Sequence, residues 1–204
     1  MSSNNGGIYI YHYFEKERGP FLSLSDVSDD KIKKILEQSR AEDKESGKST
    51  LLGSVYSDDN INIRRHQEHM TRVTFAEKGG KPVREFPCYA VLARGNDSNY
   101  IEGLKSRYKI GEYVRIPVED LDMTAVSFTY GDQCETVNPA EYENFLANTY
   151  RPPVYTYDEI LDVIAERGWI EYTGDWGWPR PWYIEAQMWN DDASLERYRK
   201  LYLG

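Results

Sequence analysis

The chain predicts an α+β fold: a twisted, mainly antiparallel sheet of about five strands with three to five helices, in a single domain over residues 1–204. Three observations lead there. Short runs with a two-residue apolar period recur along the chain, amphipathic stretches of helical period lie between them, and the spacing lacks the regular strand–helix alternation of a parallel doubly wound sheet.

Residues 1–7 read as a flexible tail. Ile8 to Phe14 is the first strand, with Ile8, Ile10, His12 and Phe14 on one face and Tyr9, Tyr11 and Tyr13 on the other. Gly19-Pro20 closes it, and Ser28 opens a short amphipathic helix through Ile32, Ile35 and Leu36. From Glu42 to Ser57 the polar composition predicts a long loop. A second helix spans Asp59 to Glu77 and stops at Gly79-Gly80. Strands follow at Phe86–Arg94, Glu112–Val118 and Ala125–Tyr130, and Pro117 marks the middle one as an edge strand or one that ends early.

Asn138-Pro139-Ala140-Glu141 opens a brief helix. Thr156-Tyr157-Asp158-Glu159 is a capping box, with a Tyr155–Ile160 staple and Gly168 at the far end. The loop from Trp169 to Pro181 leads into a strand around Glu185, and Leu195, Tyr198 and Leu201 predict a closing helical turn or two.

The formal charge is -9 with a pI near 5.0, which argues against a bound nucleic acid, because such binding draws its affinity from Lys and Arg on phosphates. Arg64, Arg65, His66, His69 and Arg72 would spread around a helix rather than form a stripe. Cys88 and Cys134 lack metal-ligand spacing, and neither a secretion signal nor a membrane-spanning run is present, so the reading is a soluble cytoplasmic protein without membrane partners. GxxxxGK[ST], GxGxxG, GxSxG and HExxH are absent, and with three histidines no metal site is expected. No cofactor is expected either. The 17 tyrosines and five tryptophans point to a sticky surface for a small molecule or a protein.

The candidate chemistry gathers in Trp182 to Trp189, where Glu185 and Gln187 share a strand face with aromatic rings. Glu185 would be the acid–base or electrostatic residue and Gln187 its orienting neighbour, with His12 as a polar group on the floor of a cleft. Tyr113, Tyr130, Tyr183, Trp189 and Asp132 complete the candidate binding residues.

The segments Tyr11 to Phe21, Ser127 to Asp132 and Tyr183 to Trp189 resemble an uncharacterised family of bacterial proteins of about this length, a resemblance that carries no activity. A more distant likeness is to ADP-ribosyltransferase-like folds. It implies His12 at the early-strand position, one of Tyr108, Tyr113 or Tyr130 stacking nicotinamide, and Glu185 supporting an oxocarbenium-like transition state, with NAD as substrate. Gln187 follows Glu185, whereas many members of that superfamily place an acid or amide two residues before the catalytic glutamate. The reading ranked first is a ligand- or protein-binding module with a Tyr/Trp-rich surface; the alternative is a transferase or hydrolase acting on a nucleotide-like substrate through Glu185.

Overall fold

The computed structural model describes residues 7–15, 18–46, 60–95, 112–132, 153–170 and 183–203. Five strands, β1 (Ile8–Phe14), β2 (Cys88–Arg94), β3 (Glu112–Pro117), β4 (Val126–Tyr130) and β5 (Ile184–Met188), form an open sheet in the order β3-β1-β2-β5-β4. Every neighbouring pair is antiparallel, as the α+β reading requires. Four helices are described: α1 (Asp29–Ser46), α2 (Asn60–Glu77), α3 (Tyr157–Arg167) and α4 (Asp192–Leu203). None is long and apolar enough to cross a membrane.

The register divides the sheet into two faces. Tyr11 stands opposite Val91, Val91 opposite Glu185, and Glu185 opposite Thr129, so these four share one face. The other carries Ile10, Leu92, Ile116, Phe128 and Ile184, packed against Ile160 and Ile164 of α3 and Leu195 and Tyr198 of α4. Each such side chain, taken fully out of water, contributes roughly 1.5–3 kcal/mol. Pro117 closes β3, an edge strand as its missing donor predicts. The opposite edge is partly covered, because Phe128 and Tyr155 exchange backbone hydrogen bonds of 2.9 and 2.8 Å.

Two elements run longer than their patterns suggest. The helix after Ser28 passes through Glu42 to Ser46, where a loop was expected. Its inner side is held: Ile32 and Leu36 pack with Leu24, Val27 and Ile61, and Arg18 donates to Ser39 at 2.7 Å. The closing turn is a 12-residue helix, since Leu195 is fully buried and the Tyr198 hydroxyl bonds Asp120. Tertiary packing outweighs weak local propensity in both. The brief helix at Asn138, residues 47–57 of the expected loop, Tyr108 and Cys134 lie outside the described residues.

The capping box forms as read: Thr156 N–H donates to Glu159 at 2.9 Å and the threonine side chain accepts from Glu159 N–H. α2 ends in a Schellman motif. Gly79 takes φ +91°, Gly80 N–H bonds the Phe75 carbonyl at 3.0 Å, and Gly79 N–H bonds that of Ala76 at 3.0 Å. A Cβ on Gly80 would lie 2.5 Å from the Phe75 ring. Gly80→Ala should therefore lower unfolding free energy by about 1–3 kcal/mol in urea titration, the cost of overpacking a buried ring that packs with Val154 and Trp189; an unchanged midpoint would show that Phe75 moves freely.

Candidate functional site

Glu185, Gln187 and Trp189 alternate along β5 and its end, and the register sets Ser127 of β4 opposite Gln187 and Thr129 opposite Glu185. The result is a directed chain of hydrogen bonds. Trp189 Nε1 donates to Ser127 Oγ at 2.8 Å, Ser127 donates to Gln187 Oε1 at 2.8 Å, and Gln187 Nε2 donates to Glu185 Oε1 at 2.8 Å and to Thr129 Oγ1 at 3.3 Å. Thr129 Oγ1 in turn donates to the Gly131 carbonyl at 2.9 Å. Glu185 is 5% exposed, and Gln187 and Trp189 are fully buried. The carboxylate thus accepts from a buried relay of donors, and Glu185 lines neither of two cavities described below.

His12 lies on the opposite face of the sheet, two strands away, because it follows Tyr11 by one residue. Phe21 N–H donates to Nε2 at 2.8 Å, so the proton sits on Nδ1, which donates to the Tyr89 carbonyl at 2.8 Å. Phe14 and Phe21 stack on the ring at 6.0 and 4.8 Å. Burial pulls the imidazole down to about 4, against the pull of the Tyr89 carbonyl. His12 and Glu185 therefore do not converge on one hollow. The bond also holds Phe21 at φ +64°, a left-handed conformation that a bulky residue adopts only under constraint.

The remaining candidates disperse. Tyr130 belongs to the core-facing side and donates to the Gly168 carbonyl at 3.0 Å, while Tyr183 donates to Asp132 at 2.6 Å. Trp182 lies outside the described residues. Tyr113 shares a face with Glu185 but sits on β3, three strands over, roughly 14 Å away across the sheet. There it joins a tyrosine cluster. Tyr11, fully buried and bonded to the Gly95 carbonyl, lies at 6.3 Å from Tyr9, 6.5 Å from Tyr13 and 5.9 Å from Tyr113, ring centre to ring centre. The outer three are half-buried, and the Arg115 guanidinium stands 4.7 Å over the Tyr9 ring.

The arginines of α2 are spent on structure. Arg64 pairs with Glu68 at 2.7 Å and covers the Tyr89 ring at 4.3 Å, Arg65 binds the Ser25 and Val27 carbonyls and Asp29, and Arg72 binds the Pro82 and Arg84 carbonyls. Burial pushes the Glu68 carboxyl above its usual range, and Arg64, Ser25 and Tyr89 hold it back. Cys88 is a buried thiol raised to about 12 by burial, far from reactive. Among the described residues no group of three or more His, Cys, Asp or Glu is placed to hold a metal ion.

Sequence reasoning missed a polar cleft between the end of β1 and α1. A cavity of about 300 Å³ is lined by Glu15, Arg18, Leu22, Lys31, Ile35, Gln38 and Glu42, and one of about 80 Å³ beside it shares Glu15, Arg18 and Leu22. One signal was available: Lys31, Ile35, Gln38 and Glu42 fall at i, i+4, i+7 and i+11, a single stripe of α1. No family model, curated protein or solved structure matches this chain.

Two stability experiments follow from these groups. Ser127→Ala strands the Trp189 indole N–H and the Gln187 carbonyl oxygen, and should cost about 1–3 kcal/mol for each unpaired group in urea titration; a neutral result would break the relay. His12 and Glu68 act on acid stability with opposite signs. The unfolded chain protonates His12 near 6.5 and the folded protein only near 4, so stability falls as pH drops through that window, by roughly 3 kcal/mol. Glu68 keeps its proton longer when folded, so its contribution is lost as pH rises above 4.5. Urea midpoints across this window should lose the acid-side fall in His12→Gln and the opposing trend in Glu68→Gln; a His12→Gln profile identical to wild type would contradict the neutral, locked imidazole.

Proposed function

We propose that the protein is a binding module that holds a ligand or a partner protein against the tyrosine platform of β1 and β3, with Tyr9, Tyr13 and Tyr113 as the contact rings. The observation that carries this reading is the cluster's construction. A buried Tyr11 anchors three half-buried rings at stacking distance, and the Arg115 guanidinium already lies on one of them, the geometry a planar or cationic group adopts on tyrosine. Tyrosine offers wide apolar area with a polar rim and few torsions to immobilise, which suits recognition.

The Glu185 relay weighs against the transferase or hydrolase reading. An acid–base carboxylate must reach its substrate within hydrogen-bond distance, whereas this one is buried, accepts from its own strand neighbour and lines neither of the two cavities described above.

A thermal-shift screen with NAD, nucleotides and sugar phosphates, followed by a turnover assay on every hit, tests the proposal. A bound ring-bearing ligand at 100 times its dissociation constant should raise stability by about 2.7 kcal/mol. The rise should be lost in the Tyr13→Ala, Tyr113→Ala double variant and kept in Glu185→Gln, with no turnover in either. A screen with no shift narrows the occupant to a protein. Turnover of NAD or a nucleotide that disappears in Glu185→Gln would overturn the proposal in favour of an enzyme.

A further inference from the structure

The cleft beneath α1 is polarised along its length. Glu15 is 7% exposed; its Oε2 is bonded by Arg18 Nε, and its Oε1 is buried with no hydrogen-bond partner among the described residues. A buried carboxylate oxygen left unmatched costs more than a hydrogen bond made there returns, so the position calls for a donor. Glu42, on the same lining, stands at this end and accepts from Gln38 at 3.0 Å.

Lys31 supplies the opposite charge. Arg18 fixes the acidic end by gripping Ser39, eight residues and about 12 Å along the axis from Lys31. Helical side chains also lean toward the helix start, which carries the lysine away from Ser39 rather than toward it. Leu22, 42% exposed, and the half-buried Ile35 form the apolar stretch of the same cavity. At about 300 Å³ the cavity is at the lower end of the ligand-sized range.

We propose that this cleft binds a linear zwitterion whose ammonium meets Glu15 and whose carboxylate meets Lys31, with an apolar linker lying over Leu22 and Ile35. The separation of the charges excludes a ligand carrying both on one carbon, such as a free α-amino acid. It admits an ω-amino acid or a short peptide with both ends free. The 300 Å³ cavity is lined by none of the platform tyrosines, and Tyr13 reaches only the smaller cavity beside it, so either site can fail without the other.

The test is calorimetric titration of the full chain with ε-aminocaproate and with glycylleucylglycine. Binding of either probe is expected, and the two arms tell a free ω-amino acid from a peptide. Caproate and hexylamine, which each lack one charge, and the N-acetylated and C-amidated tripeptides should bind at least about tenfold more weakly, a loss of about 1.4 kcal/mol per missing charge. Glu15→Gln should weaken binding in the same way. Lys31→Glu, an exposed change that leaves the fold intact, should abolish it, whereas Tyr113→Ala should not alter it. Absence of binding by both probes, equal binding of the blocked tripeptides, or full affinity in Lys31→Glu would overturn the proposal.

Discussion

The neutral imidazole of His12 is the contact on which the rest of this structure leans. The described β1–β2 pairing ends at Tyr11 opposite Val91, and beyond it the Tyr89 carbonyl is taken by the His12 ring instead of a backbone partner. The other ring nitrogen accepts from Phe21, turning the chain through a left-handed residue. That turn places the Phe21 carbonyl over Cys88 at 3.2 Å and starts the segment whose carbonyls, at Ser25 and Val27, receive Arg65 from α2. One side chain thereby joins β1, β2, the segment before α1 and, through it, both long helices. A charged ring could not accept from Phe21, so the arrangement requires the low proton affinity that burial imposes.

The same loop makes the cleft. Glu15, Arg18 and Leu22 belong to the stretch that His12 fixes, and α1 closes over them through the Arg18–Ser39 bond. The two sheet faces consequently differ in kind. The core-facing side is apolar over its centre apart from His12, with Arg94 and Glu112 at its ends, and meets α3 and α4. The other carries the Trp189–Ser127–Gln187–Glu185 relay near β4 and the tyrosine cluster near β3.

A buried polar relay of this sort adds little net stability compared with an apolar layer, since each bond replaces one to water. Its effect is on register. Sliding β4 by one residue against β5 would face Ser127 and Thr129 away from Gln187 and break the bonds that the Gln187 carbonyl oxygen and the Trp189 indole N–H make to Ser127. Tyrosine serves the other end differently: the inner ring is buried with its hydroxyl on a carbonyl, and the outer rings keep an edge toward water.

Much of the fold was legible because it depends on local chemistry. The alternation in Ile8–Phe14, the proline in β3, the glycines after α2 and the capping box at Thr156 each act within a few residues, and each stands where its pattern indicates. The same parity reading separates His12 from its neighbour Tyr11. What alternation cannot supply is which strands meet and in what order, so it could not reveal that His12 and Glu185 lie on opposite faces or that Tyr113 is three strands from Gln187. The length of α1 and α4 and the burial of Glu15 escaped for a related reason: long-range partners such as Ser39 for Arg18 and Asp120 for Tyr198 decide them. The sequence by itself determined the fold class and most element positions, through propensity, period and capping. Only the tertiary structure decided which polar groups are satisfied and which cavity is open, because desolvation and hydrogen-bond pairing depend on neighbours far away in the chain.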